Sequence, residues 1–326
     1  MAATTTVTDD FVAQADPYRR ELLAHCYRML GSLHDAEDLV QETYLRAWRG
    51  YDRFEGRSSL RTWLYRIATT TCLTALENRK RRPLPTGLGG PSDPSRDELV
   101  ELPEVPWLEP IPDAMITDDH TDPAAIVSAR ESTRLAFIAA LQHLPARQRA
   151  VLILRDVLKW KAAEVAEALD TSTAAVNSSL QRARAQLDQV KPSEDDTREP
   201  LTAEQRRMLE RYVAAFEAKD ISRIVQMFTE DAIWEMPPFT NWVSGAEQIG
   251  VLVDLKCPAG PDDMRLLPAR ANGQVAFGVY MRQPDGVFRP FHLQVLEFDG
   301  AKVKHAVTFF DVSLFPSFGL PDTYPQ

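Results

Sequence analysis

Cysteine is scarce in this sequence, long apolar runs are missing and positive charge is outnumbered. The three cysteines, Cys26, Cys72 and Cys257, lie far apart with no CxxC or neighbouring histidine. That pattern excludes a disulfide framework and a zinc site of ordinary spacing; three buried reduced thiols are expected, with no metal and no cofactor. No stretch of 18 apolar residues occurs, so a hydrophobic transmembrane helix is excluded. The opening residues, Met1 to Val12, carry neither the basic nor the apolar stretch of an export signal, which points to the cytoplasm. The remainder is ordinary for a globular protein. With 44% hydrophobic and 26% charged residues over 326 positions, the chain is too apolar for wholesale disorder and long enough for two or three domains.

Lys and Arg number 37 against 47 Asp and Glu, a net charge of -10, which argues against nucleic acid until it is divided along the chain. Residues 1–82 carry +2 and 123–190 carry +3, whereas 83–122 carry -9, 191–201 carry -2 and 202–326 carry -4. Two mildly basic blocks flank a strongly acidic spacer, an asymmetry that says more about partners than the total does.

The first block reads as helical. Acidic residues gather at Asp35-Ala-Glu-Asp38, where they suit the positive end of a helix dipole, and Leu39, Val40, Tyr44, Ala47 and Trp48 follow at helical spacing, predicting one amphipathic helix over 35–50. A second is predicted from Leu60 to Arg82, after the polar Asp52–Ser59 stretch punctuated by Gly56. From Pro83 to Pro123 the composition turns to proline, glycine and acid, the signature of an extended or mobile linker, although Val105, Trp107, Leu108, Ile111 and Met115 are apolar enough to dock. Helical periodicity returns over Ala124–Gln189, broken near Pro145, near Lys159 and at Asp170-Thr-Ser172. After a polar linker, 191–201, a helix over Thr202–Lys219 opens with a Thr202-x-x-Gln205 capping box, and Ser244-x-x-Glu247 predicts another. Strands are expected near 264–271, 274–282, 288–298 and 302–310, joined at Asn272-Gly273, Asp285-Gly286 and Asp299-Gly300.

The strongest local signal is Ala162–Leu169, the tight turn Asp170-Thr-Ser172, and Thr173–Arg184. Helix, turn, helix is the arrangement that places a second helix in the major groove. Val176, Leu180, Ala183 and Leu187 share one face and would pack on Val165, Ala166 and Leu169. Thr173, Ala174, Asn177, Ser178, Gln181 and Arg182 would then point outward to reach base edges or phosphates, with Arg184 to one side as a phosphate contact. An ordinary pair of helices with a solvated face is the bland alternative.

Leu144-Pro-Ala-Arg-Gln-Arg-Ala-Val-Leu-Ile-Leu-Arg-Asp-Val157, followed by that helix-turn-helix, resembles region 4 of the sigma-70 family in its small extracytoplasmic-function (ECF) branch. Tyr27-Arg-Met-Leu-Gly31, Asp35-Ala-Glu-Asp-Leu-Val-Gln-Glu-Thr-Tyr44 and Arg61-Thr-Trp-Leu-Tyr-Arg-Ile-Ala68 resemble region 2. The resemblance covers roughly residues 10–190 in the family's order. It implies a subunit that joins core RNA polymerase at the clamp helices and the flap, reads promoter DNA at its -35 and -10 elements, and catalyses nothing itself. Residues 8–82 would be region 2, 83–122 the acidic linker and 123–190 region 4. Asp35, Asp38, Leu39, Gln41, Glu42 and Arg46 match the polymerase-docking positions. Phe54, Gly56, Arg57 and Ser58 lie in the segment that captures an unstacked -10 base, and extruding a base costs a few kcal/mol unless stacking and hydrogen bonds receive it. Arg61, Trp63 and Arg66 would face the DNA, Trp63 being as well suited to the core. The chain departs from the family at Thr70 and Thr74, where Asn and Asp are common. The -9 linker would be drawn to the positively charged channels of the polymerase or would serve only as a solubilising spacer.

Residues 202–326 exceed what such a factor needs. Their helices followed by a curved antiparallel sheet resemble the SnoaL-like cone, on the stretches Tyr212–Asp220 and Phe228–Met236. The expected whole is therefore multidomain, two all-α sigma regions and an α+β cone. Trp234, Met236, Phe239, Trp242, Tyr280, Phe291 and Phe309 would line an apolar pocket able to take a small-molecule ligand, or would simply build a core. Proton-transfer chemistry would need a tuned carboxylate or histidine there; Asp231, Glu235, Asp254, His292 and His305 are available, in no diagnostic spacing. A regulatory domain is expected instead, its apolar tail Phe309–Phe318 docking on the sigma regions, and the protein is expected to act as one copy without a membrane partner. The other class is a helix-turn-helix repressor fused to a ligand-binding or enzymatic cone. The region 2 block discriminates, since a repressor needs neither a clamp-binding helix nor a strand-capture loop.

Overall fold

The computed structural model describes residues 11–77, 79–116, 131–190 and 202–325; the linker expected at 191–201 lies outside them. Two compact units divide the chain. One takes the residues up to Arg82 and those from Leu108 to the end of the second helical block, and the other takes Pro83–Trp107 and the C-terminal third.

In the first unit, α1 (Arg19–Leu30) stops at Gly31, whose φ of 69° is left-handed and so favours glycine. Ser32 then accepts from the Asp35 N–H and opens α2 (Leu33–Gly50), and Ser59 caps α3 (Leu60–Leu76) in the same way on Thr62. Leu22, Cys26, Tyr27, Leu30, Leu33, Val40, Leu64, Tyr65 and Cys72 are buried. The third helix ends six residues before the predicted Arg82. Pro83 and Pro85 disfavour helical backbone in the residues before them, and the basic run turns back, with Arg79 and Arg82 both on the Asp35 carboxylate. Its threonines close on themselves: Thr69, Thr70 and Thr71 each donate to the carbonyl four residues earlier.

The chain re-enters this unit at Leu108. The Tyr27 hydroxyl donates to the Glu109 carbonyl at 2.7 Å, and the Ser32 hydroxyl to the Glu109 carboxylate at 2.8 Å. A single turn, α4 (Asp113–Ile116), leads toward α5 (Leu135–Leu141) and α6 (Ala146–Leu152), which widens into a π-helical turn over Ile153–Val157. Lys159 at φ 59° breaks the helix, α7 (Ala162–Ala168) follows, Asp170 at φ 49° makes the tight turn, and α8 (Thr173–Val190) ends the unit.

The second unit begins with the supposed linker. Residues 83–107 do not run free; they lie along the sheet domain. The Thr86 N–H donates to Glu235 at 2.7 Å, Trp242 Nε1 to the Gly89 carbonyl at 3.0 Å, Ser92 N–H to the Trp242 carbonyl at 2.7 Å and Leu102 N–H to the Pro238 carbonyl at 2.9 Å. Asn241 is a clasp, accepting from Val100 N–H at 2.7 Å and donating to the Glu98 carbonyl at 3.1 Å. Composition concealed this because the holding groups are backbone amides and carbonyls, which every sequence supplies.

The domain proper runs α9 (Ala203–Glu217), α10 (Ile221–Met227), β1 (Phe228–Glu235), β2 (Trp242–Ser244), α11 (Ala246–Lys256), β3 (Met264–Ala271), β4 (Gln274–Arg282), β5 (Phe288–Asp299) and β6 (Lys302–Phe309). The Thr202–Gln205 capping box is formed. The one expected at Ser244 is not, because Ser244 is the last residue of β2 and Gly245, at φ 102°, is the residue that leads into α11. The sheet order is β2-β1-β6-β5-β4-β3, antiparallel throughout except for parallel β1 and β6. The tail does not present an apolar docking strip. Leu314 and Phe315 are buried, and Phe315 meets Tyr280 edge-on at 5.4 Å, covering the outer face of the domain's own sheet.

Candidate functional site

Helix α8 has the two faces its sequence requires. Val176, Leu180 and Ala183 are buried, as are Val165 and Ala166 of α7, whereas Thr173, Ala174, Asn177, Ser178, Gln181, Arg182 and Arg184 are all exposed. These seven form one solvent-facing surface, polar except for the methyl of Ala174, with two guanidinium groups at its C-terminal half. Arg184 is the exception in its freedom, gripped by Asp156 through two bonds of 2.8 and 2.6 Å. Asp156 sits 28 residues upstream, so only the fold reveals the pair.

On α2, Asp38, Gln41 and Arg46 are exposed, and Leu39 and Glu42 are half-buried. Glu42 accepts from Arg46 at 2.6 Å, one turn on. Asp35 is withdrawn by the two arginines that close on it. Trp48, expected on the core-facing stripe, is 42% exposed, and Leu45 is 48% exposed. Large apolar side chains held in water beside a charged row are the mark of a partner surface, a role the sequence suggested for neither.

The Asp52–Ser59 loop presents an aromatic stack. Phe54 lies over Tyr51 at 6.4 Å and against Trp63 at 4.9 Å, and Trp63 is half-buried. Gly56 takes φ 68° with open space around it, Arg57 pairs with Glu55 at 3.0 Å, and Ser58 is exposed. Arg61 is committed inward: its guanidinium grips Glu21 through bonds of 2.7 to 2.9 Å and lies 5.0 Å above the Tyr65 ring. Arg66 is half-exposed, 3.7 Å from Glu167.

The sheet domain encloses a cavity of about 260 Å³. Trp234, Met236, Phe239 and Phe291 line it; Trp242, Tyr280 and Phe309 do not. Strand alternation is the reason for two of the three. Thr308 and Phe310 face inward, which sends Phe309 outward, and inward Val279 sends out Tyr280, whose hydroxyl donates to the Pro321 carbonyl at 2.9 Å. Trp242 is held by the Gly89 carbonyl instead. Of the five acid-base candidates, only His292 reaches the cavity. Asp231 and Asp254 are exposed. Glu235 is wholly buried and accepts from His305 Nε2 at 2.8 Å. Burial alone would lower the pKa of His305, but Glu235 and Glu297 outweigh it and raise it to about 9. Gln294 and Thr308 of the wall were not read as pocket residues, and His292 only as one of five acid-base candidates, since inward and outward positions along a strand cannot be told apart before the register is known.

Comparison with known proteins gives these surfaces their context. The family models for Sigma-70 region 2 and Sigma-70, region 4 match residues 15–82 and 134–187. The ECF RNA polymerase sigma factor SigG of Mycobacterium tuberculosis (strain ATCC 25618 / H37Rv) is 63% identical over 316 residues, covering 96% of this chain and 85% of SigG. SigJ of the same strain is 30% identical over 246 residues, covering 73% and 70%. The crystal structure of Mycobacterium tuberculosis SigJ superposes with a TM-score of 0.61 at 24% identity, over 95% of this chain and 100% of that one, so the fold is shared over nearly the whole length. A helix-turn-helix with a second, polymerase-type helical block defines a transcription initiation subunit rather than a repressor. The chain belongs to the ECF branch of the sigma-70 family. It is an RNA polymerase sigma factor, a subunit that initiates transcription at promoter DNA, and its C-terminal third is a domain of helices and a curved sheet. Among the described residues no helix is long and apolar enough to cross a membrane.

Proposed function

We infer that the surfaces described above divide the work of a sigma factor. The observation that carries the reading is the two-faced α8, whose apolar positions are buried while Thr173, Ala174, Asn177, Ser178, Gln181 and Arg182 are exposed together. This face reads the -35 element, and Arg184, held by Asp156, stiffens the helix edge beside a phosphate. The α2 row of Asp38, Leu39, Gln41, Glu42 and Arg46, with exposed Leu45 and Trp48, docks on the polymerase clamp helices, and region 4 meets the flap. Asp35 shapes this helix start from within. The Tyr51-Phe54-Trp63 stack, with Gly56, Arg57 and Ser58 at its edge, receives an unpaired -10 base. Arg66 approaches the DNA once released from Glu167, and Arg61 braces the helix through Glu21. The protein works in the cytoplasm as one copy, catalyses no reaction itself, and its cone modulates promoter activity through the 83–107 segment, with a small molecule as input.

Run-off transcription with purified core polymerase tests the assignment. Substituting the exposed pair Asp38→Arg and Leu39→Ala abolishes polymerase association and transcript while leaving binding of -35 DNA by α8 intact. Undiminished transcript from that variant would remove α2 from the docking role.

A further inference from the structure

We propose that the cavity of the first unit ringed by Arg79, Lys80, Arg81 and Arg82 is a binding site for a diphosphate group, carried by free pyrophosphate or by a nucleoside diphosphate. The site is separate from the DNA-reading and polymerase-docking surfaces assigned above and is argued without them.

The fold gathers the cations. Helix α3 ends at Leu76, and the basic run that follows turns back to the start of α2, where Arg79 and Arg82 close on Asp35. Four consecutive cationic side chains are thereby brought to the wall of one cavity of about 200 Å³. The opposite wall comes from the start of α6, with Ala146 half-buried in it and Arg149 nearly one turn further on. Buried Leu30 and Leu144 make the remainder apolar.

Charge is out of balance there. Among the described residues the wall carries five cationic side chains and one carboxylate, that of Asp35. Arg79 and Arg82 share this carboxylate, with Glu109 3.8 Å from Arg82. Arg81 donates at 2.9 Å to the Nδ1 of His143, which is an uncharged acceptor in that bond. Lys80 is exposed and has no ion pair among the described residues. Arg149 is buried with its donors committed to the Met29 and Leu144 carbonyls and to Gln142, so it lends the cavity a charge and no bond. Lys80 and Arg149 each supply a positive charge that no carboxylate answers. Cations set around apolar walls focus a positive potential into the space between them, and their mutual repulsion opposes the arrangement until an anion enters.

Size and donor chemistry select the anion. Guanidinium forks and an ammonium point charge are the donors that phosphoryl oxygens take. A volume of about 200 Å³ is the space of roughly seven waters at ~30 Å³ each. The seven oxygens of a diphosphate fill it, whereas the four of phosphate or sulfate do not. Exposed Arg79, Lys80 and Arg81 place the cavity at the surface, so the sugar and base of a nucleotide would stay in solvent.

Isothermal titration of the full chain at constant ionic strength with sodium pyrophosphate, inorganic phosphate, sulfate and ADP tests the proposal. The expected result is one pyrophosphate per chain, bound at least tenfold more tightly than phosphate or sulfate. Lys80→Gln removes one charge-assisted donor that holds nothing else, so it weakens pyrophosphate about tenfold with an unchanged melting temperature. Ala146→Glu sets a carboxylate in the wall at the first residue of α6, where the helix tolerates it, and removes binding; thermal melting shows that the variant is folded. Lys302→Ala, an equal loss of charge at an exposed position of the second unit, leaves the affinity as it was. Trypsin cleavage after Lys80 and Arg81 slows at saturating pyrophosphate relative to cleavage after exposed Arg96. ADP that binds as tightly as pyrophosphate identifies a nucleotide as the source of the group, and weaker binding of ADP identifies the free anion. Absence of saturable binding to the folded wild-type protein overturns the site, as does equal affinity for sulfate or an unchanged affinity in Lys80→Gln. Displacement of pyrophosphate by a short DNA duplex of arbitrary sequence overturns it in favour of a backbone-phosphate contact.

Discussion

Arg149 carries its charge into the middle of the first unit with no carboxylate among the described residues paired to it. Its guanidinium donates instead to the Met29 carbonyl, to Gln142 Oε1 at 2.8 Å and to the Leu144 carbonyl at 3.2 Å. Burial lowers its pKa to about 10, and it stays charged at neutral pH. Replacing it with Leu removes the donor and orphans several buried acceptors, each costing about 1 to 3 kcal/mol. Arg149→Leu is expected to destabilise the first unit by roughly 3 kcal/mol in urea titrations, although the side chain touches neither DNA-reading face. His305 is the matching case in the second unit. Its pKa rises from 6.5 to about 9, driven by Glu235 and Glu297, with Lys304 beside Glu297 at 3.3 Å as the nearby positive charge. The folded state holds this proton more tightly than the unfolded chain, so the stabilisation is complete below pH 6.5, declines above it and is gone beyond about pH 9. Buried His25 and His292 act in the other direction. Both are lowered to about 3, so their contribution holds above pH 6.5 and is lost as pH falls toward 3. Thermal melts should therefore peak near pH 6.5, and in His305→Gln the fall from pH 7 to 9 should flatten while the acid limb remains.

At the scale of the element, α8 shows how a helix divides labour between faces. Alternating burial was written in its apolar spacing, but Asp156 changes what its arginines do. Arg182 is exposed, whereas Arg184 is already bonded twice. Arg182→Ala is expected to weaken -35 duplex binding by about 1 to 3 kcal/mol with unchanged helicity. Arg184→Ala should cost less in binding than Arg182→Ala, and the difference should shrink when Asp156 is also replaced, which fluorescence anisotropy on a -35 duplex would measure. The same element-level view explains the shortened α3. Periodicity carried it to Arg82, yet Pro83 and the pull of Asp35 on Arg79 and Arg82 ended it at Leu76.

For the whole molecule, the segment after Arg82 matters most. An acidic, proline-rich stretch between two domains ordinarily reads as a tether, and a tether can be exchanged for another of equal length. Here residues 83–107 are built into the second unit through Glu235, Asn241, Trp242 and Pro238. Replacing residues 86–101 with a glycine-serine stretch of the same length should lower the melting temperature of the second unit by several degrees, since Leu99 no longer packs against the domain core and glycine loses more backbone entropy on being held in the same bonds. The same variant should show altered run-off transcription if the cone acts through this segment. A spacer would leave both unchanged.

The sequence by itself determined the helices of both sigma regions, the Asp170 turn, the Thr202–Gln205 cap and the four long strands with their glycine turns. It also determined which residues of α8 face out. These follow from local periodicity and turn chemistry, which need no knowledge of distant neighbours. Only the tertiary structure decided that Asp35, Arg61 and Arg184 are spent on Arg82, Glu21 and Asp156, that Trp48 is exposed, that β1 runs parallel to β6, that Phe309 and Tyr280 face away from the cavity, and that the linker belongs to the cone. Apart from the exposure of Trp48, each of these depends on a partner dozens to more than a hundred residues away. Strand pairing and ion pairing are settled by which segments meet when the core closes, and no local pattern encodes that meeting.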